Sequence, residues 1–229
     1  MSSLSAWCGT FVWLIHKDIV RELRARRILP VTLLLGISLI LLLALRLDIA
    51  LDARLHVSGG LFWAASFFAG ALLVERSFAA EREEGCWRAM RLMPITPATI
   101  YLAKLAFHFL ALLGLQLVIL PCFALLADVS WMANPGKLAA VVVLANLGFA
   151  SIGTILGGML CSLRQRSQML MILLLPLVVP VALGAGAATT ALADAQPDPE
   201  WLLGLQLLGL FAGLYAAAGA LLFEYAMEE

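Results

Sequence analysis

Six stretches of this chain, 28–45, 57–74, 105–126, 138–160, 169–192 and 201–223, run for 18 to 24 residues without an Asp, Glu, Lys or Arg. An α-helix rises about 1.5 Å per residue, so roughly 20 apolar residues cross a hydrocarbon layer of about 30 Å. One charged side chain at the middle of such a helix costs roughly 2.5–3.5 kcal/mol to insert, which is a physical reason for runs this clean. The runs are continuous and do not alternate in polarity, so a transmembrane β-barrel is excluded. The 229 residues are 63% hydrophobic and 13% charged, against roughly 45–50% and about 25% in soluble domains. No soluble fold of this length can cover that much apolar surface. The expected fold class is all-α, a polytopic membrane protein with six transmembrane helices.

Charge placement orients the spans. The N-terminal segment holds Lys17, Arg21, Arg24, Arg26 and Arg27, and the segment between the second and third runs holds Arg76, Arg82, Arg88, Arg91 and Lys104. With Arg164 and Arg166 these are twelve basic residues on one side; only Arg46, Arg54 and Lys137 fall on the other. By the positive-inside rule the expected topology is N-in and C-in. The short apolar patch 8–15 lacks a basic leader and a small-residue cleavage site, so it does not read as a signal peptide. Within 7–27, Phe11, Leu14, Ile15, Ile19 and Leu23 recur at helical spacing. That pattern predicts a helix lying in the cytoplasmic interface and turning into the first span at Pro30. An ordinary basic flank would place the same residues at lipid headgroups.

The fourth run is rich in small residues, Ala150, Gly153, Thr154, Gly157 and Gly158. Such residues let helix backbones approach closely, and packing within the chain is favoured over a subunit interface. The fifth run carries Pro176, Pro180, Gly184 and Gly186, which predicts a helix kinked or broken near its middle. Residues 194–200 read as an acidic external connector.

The chemistry of common enzymes is missing. There is no GxxxxGK[ST] phosphate loop, no HExxH and no GxSxG, so the chain lacks the usual means of binding ATP and carries no catalytic residue in a recognisable motif. His16, His56 and His108 are scattered, and Cys8, Cys86, Cys122 and Cys161 include no CxxC, so neither a metal site nor a disulfide framework is expected. Proton coupling usually needs a titratable group at depth, and no run contains an acidic residue. An energy source is therefore expected in a partner on the cytoplasmic face.

The segment 75–104 is the natural contact surface for that partner. Glu75 and Arg76 end the second run; Glu81, Arg82, Glu83 and Glu84 follow, and Gly85 permits a sharp turn. Trp87, Met90 and Leu92 form an apolar face at roughly helical spacing, which Pro94 and Pro97 terminate. A short amphipathic helix of this kind fits a groove on a soluble subunit; a solvated loop with an interfacial tryptophan is the alternative.

Glu75-Arg76-x-Phe78, Gly85, Leu92-x-Pro94 and Leu102-Ala103-Lys104-x-x-x-His108 resemble the B-type permease subunit (CcmB) family of cytochrome c maturation, within the ABC-2 type permeases. The Leu175-Pro176-Leu177-x-x-Pro180 run is similar to that family's as well, and length and six-span topology agree from end to end. The family usually has a small or hydroxyl residue, Leu and Glu where this chain has Cys86, Trp87 and Arg88.

The resemblance implies a single permease domain, 1–229, in a bacterial inner membrane. It implies a non-catalytic subunit working with a soluble A-type ATPase, a haem-handling C-type membrane subunit and a small accessory subunit, and no nucleic acid. ATP would act through the partner, and haem is a possible cargo. The expected coupling residues are Glu75, Arg76, Glu84, Gly85, Trp87, Leu92 and Pro94. His108 and His56 are candidate haem contacts, since imidazole is a usual axial ligand; a buried His108 bonded to a neighbouring helix is the stronger expectation. A generic ABC-2 exporter of lipid, polysaccharide or drug, and a structural membrane scaffold, are the rival functions.

Overall fold

A computed structural model describes residues 2–25, 28–45, 51–93, 95–161, 166–192 and 199–228, and among them the ordered structure is entirely helical. In chain order the helices are α1 (Ser2–Ala25), α2 (Leu29–Leu45), α3 (Leu51–Glu83), α4 (Cys86–Leu92), α5 (Pro97–Ala127), α6 (Pro135–Met159), α7 (Arg166–Ala191) and α8 (Pro199–Glu228), with a 3-10 turn at Trp131–Ala133 before α6. Five stretches, within α3, α5, α6, α7 and α8, are long and apolar enough to cross a membrane. A sixth arises if α1 and α2, bent by 72° at their junction, count as one broken span. The apolar runs thus become the expected helices.

The central element is α6, which packs against α3, α5, α7 and α8. From Gly148 to Gly158 every one of its residues is buried, as expected for a helix with protein on all sides. Its small residues are what permits this. Gly153 lies against Val74 of α3, and side chains placed at Gly157 and Gly158 would overlap the rings of Phe78 and Phe223. The small-residue stripe is therefore an intrachain packing surface. α2 packs on α3 and α5 at one flank, and α1 on α5. At the end of the bundle away from α4, Phe62, Trp63, Phe123 and Trp131 interlock, and the Trp63 indole donates to Thr189 Oγ1 of α7 at 2.8 Å.

Three expectations change. The second span does not give way to a loop after Val74: α3 continues to Glu83 and α5 begins at Pro97. Residues 75–104 are thus mostly the ends of two long helices joined by a turn and α4. The fifth span is not broken, because α7 is helical across Pro176 and Pro180. A membrane helix tolerates proline where neighbouring groups satisfy the backbone. Beside the prolines the Tyr215 hydroxyl of α8 donates to the Leu177 carbonyl at 2.7 Å, tying the two helices together there. Finally, the inward face of α1 is not an apolar stripe. Leu14, Asp18 and Glu22 are buried while Leu23 is exposed.

Candidate functional site at the charged end

The ends of α3, α5, α6 and α8 meet α1 and α4 at one end of the bundle, and the sequence there dictates a reversal. After Glu83, Gly85 adopts φ 72°, a left-handed conformation that glycine reaches without the Cβ penalty of other residues. Its amide donates to the Arg82 carbonyl at 3.1 Å. α4 follows for seven residues and stops at Met93, whose backbone is extended. Pro97 then opens α5 behind Thr96, suited to a first helical turn whose amides have no helical acceptor.

α4 is held by its tryptophan. Trp87, only 6% exposed, meets Phe78 of α3 edge-on at 5.8 Å between ring centroids and Phe223 of α8 at 6.2 Å. Phe78 and Phe223 fill the notches left by Gly157 and Gly158 of α6. Phe223 also packs on Tyr101 of α5 at 5.4 Å, and Phe78 on His108 at 5.5 Å. Trp87 is thus a peg seated on α3 and α8, and through their rings on α5 and α6. Met90 is buried beside it, whereas Leu92 is 84% exposed. The apolar face predicted for α4 is therefore split, with Trp87 and Met90 turned into the chain and Leu92 outward.

Beneath the turn lies a buried ion cluster. Lys104 of α5, 2% exposed, places its Nζ 2.6 Å from Asp18 Oδ2 of α1 and 2.5 Å from Glu81 Oε1 of α3. Glu81 Oε1 also accepts from Lys17 at 3.1 Å and Arg21 at 3.3 Å, and Arg21 reaches Glu84 at 3.6 Å. Lys17 lies 3.2 Å from Asp18 Oδ1. Three cations and three carboxylates therefore balance, and they tie α1 to α3 and α5. Glu22 extends the polar face of α1: its Oε1 accepts from the amides of Ile28 at 2.9 Å and Leu29 at 2.8 Å. One side chain thereby caps α2 and sets the elbow.

The other expected residues fall as follows. Glu75 is half-buried and Arg76 exposed on α3, and Glu84 and Gly85 are exposed at the turn. Pro94 and the side chains of Arg88 and His56 lie outside the described residues. His108 is fully buried and shares a hydrogen bond between Nδ1 and Thr154 Oγ1 of α6 at 2.8 Å. Gln116 and Asn146 bond at 2.8 Å deeper in the same α5–α6 interface. Among the described residues no three His, Cys, Asp or Glu side chains are grouped to hold a metal ion.

Sequence reasoning misses Asp18 and Glu22, takes Glu81 as a loop charge, and places Lys104 in the basic loop and the family motif without assigning it a partner. A signal existed. Leu14, Asp18 and Glu22 follow at four-residue spacing and so share a helix face, and two acids aligned with a leucine in an otherwise basic helix mark a face turned toward buried cations.

A helical bundle with five or six stretches long and apolar enough to cross a membrane defines an integral membrane protein. The family model described as CcmB protein matches residues 9–224, and the chain belongs to that family. Comparison with curated proteins finds no match. Membership makes it a membrane permease subunit of cytochrome c maturation and haem export, an inner-membrane protein and part of an ABC system that implies an ATPase partner.

Proposed function

We propose that the chain transmits the nucleotide cycle of a separate soluble ATPase, the A-type subunit, into its membrane helices, with α4 and the turn before it as the contact. The seating of Trp87 on Phe78 and Phe223 carries this reading. A push on α4 is delivered to α3 and α8 directly and to α6 through Gly157 and Gly158, because close-packed rings have no free volume to absorb it. The outward groups of the contact are Glu84, Gly85 and Leu92, with Glu75, Arg76 and Pro94 flanking. Trp87 is a positioning residue behind them. The termini and α4 face the cytoplasm on this reading, and the haem-handling C-type subunit and the small accessory subunit complete the complex. The work done is haem export or ATP-driven release of the haem-loaded chaperone.

Two variants separate contact from transmission. Leu92→Asp should abolish co-purification of the ATPase. Trp87→Ala should weaken it less and strongly reduce the ATPase stimulation that remains. Unaltered co-purification and stimulation in both would place the ATPase contact elsewhere on the chain, and a wild-type preparation that captures no ATPase would favour a structural scaffold.

A further inference from the structure

We propose that the groove between α1 and the α3–α4 turn binds the phosphate of an anionic phospholipid headgroup. The groove encloses about 620 Å³, and its lining includes Trp13, His16, Lys17, Arg21 and Arg24 of α1, with Glu84 across from them. Three permanent cations thus face one carboxylate. They are not equally committed. Lys17 is shared between Asp18 and Glu81. Arg21 spends Nη1 on Glu81 and Glu84, but its Nη2 is buried without a hydrogen-bond acceptor; Asp18 Oδ1 stands 3.8 Å away. Arg24 is exposed and has no ion pair among the described residues. The exposed Arg24 guanidinium, beside the partly exposed Arg21, matches the demand of a phosphate for two or more strong donors.

The mouth of the groove argues for a lipid over a soluble anion. Trp13 is 53% exposed there, and Val12 and Leu23 of the same helix are also exposed. Such a mixture of apolar and basic side chains on one helix is stable at the headgroup–acyl boundary. Basic pockets beside membrane helices are a recurrent mode of anionic lipid recognition. Trp13 would sit at the ester level, where indole rings partition, and Arg21 and Arg24 would hold the phosphate. The inference does not depend on the cargo or on coupling to an ATPase.

The test measures thermal stability and native-mass-spectrometric lipid retention of the purified full chain. The additions are phosphatidylglycerol, phosphatidylcholine of the same acyl chains, or inorganic phosphate. Phosphatidylglycerol should raise the unfolding temperature and remain bound, while the other two do neither. Arg24→Gln should lower phosphatidylglycerol affinity about fivefold, the worth of one basic residue at an anionic surface, and Trp13→Ala should lower it as well. Arg76→Gln, which removes an exposed cation outside the groove, should not. Arg24 is exposed and has no ion pair among the described residues, so its variant should fold, and its unfolding temperature without added lipid checks this. Equal effects of the two lipids, or equal losses in Arg24→Gln and Arg76→Gln, would overturn the proposal. So would protection by inorganic phosphate alone, which would make the ligand a soluble anion. Undiminished retention of phosphatidylglycerol by Arg24→Gln would overturn it as well.

Discussion

Lys104 shows how one residue at the edge of a hydrophobic run can be misjudged by position alone. It precedes the run 105–126 and looks like a loop cation, yet its ammonium is enclosed by Asp18 and Glu81. Lys104→Met removes the shared cation and leaves two buried carboxylates short of a partner. Breaking a buried ion pair in this way costs about 3–5 kcal/mol, whereas replacing all members by apolar groups is often neutral. Thermal unfolding in detergent should therefore show a large loss in Lys104→Met and substantial recovery when Asp18→Asn is added, which restores the charge balance while Glu81 keeps Lys17 and Arg21. His108 calls for a different reading. Its ring is enclosed between Phe78, Phe107 and Thr154, so no face is open to a porphyrin. His108→Ala should leave the haem absorption spectrum of the purified complex unchanged. It should lower stability by about 1–3 kcal/mol through the lost hydrogen bond and the space left behind; a changed haem spectrum would restore His108 as a ligand candidate.

At the scale of elements, the elbow between α1 and α2 is the joint least visible in sequence. Pro30 was the expected turning point, and it does lie in the first turn of α2. The turn is nevertheless held by Glu22, which reaches from the preceding helix to the amides of Ile28 and Leu29. An acidic group at a helix N-terminus satisfies orphan donors and complements the helix dipole. Glu22→Ala should cost about 1–3 kcal/mol by leaving those donors unpaired. Hydrogen exchange would locate the effect, with the Ile28 and Leu29 amides losing protection while those of α6 keep theirs; Glu22→Gln, which still accepts, should retain most of the protection. α7 offers the complementary lesson. Two prolines predict a kink or a break, yet the helix runs through both, because a membrane helix carries proline where packing against its neighbours supports the backbone, and no local pattern names those neighbours.

Over the whole molecule, the asymmetry of twelve basic residues against three predicts that both ends of the chain lie in the cytoplasm. Fluorescent-protein fusions at either terminus should both fluoresce and periplasmic phosphatase fusions should both be inactive; a fluorescent signal at one end only would require an odd number of crossings, with α1 and α2 not forming a span. Much of the architecture was legible without coordinates, because insertion into lipid is governed by segment length and apolarity, which are properties of contiguous residues. The all-helical class, the apolar segments and the position of the sharp turn at Gly85 follow from the chain alone, and so do the residues that carry the family resemblance. Only the tertiary structure decided that Trp87 faces inward while Leu92 faces out, that Asp18 and Glu81 surround Lys104, and that the rings of Phe78 and Phe223 occupy the glycine notches of α6. These are choices of side-chain direction between elements dozens of residues apart in sequence. Their free energies come from burial and pairing with partners, and those partners exist only once the helices have packed.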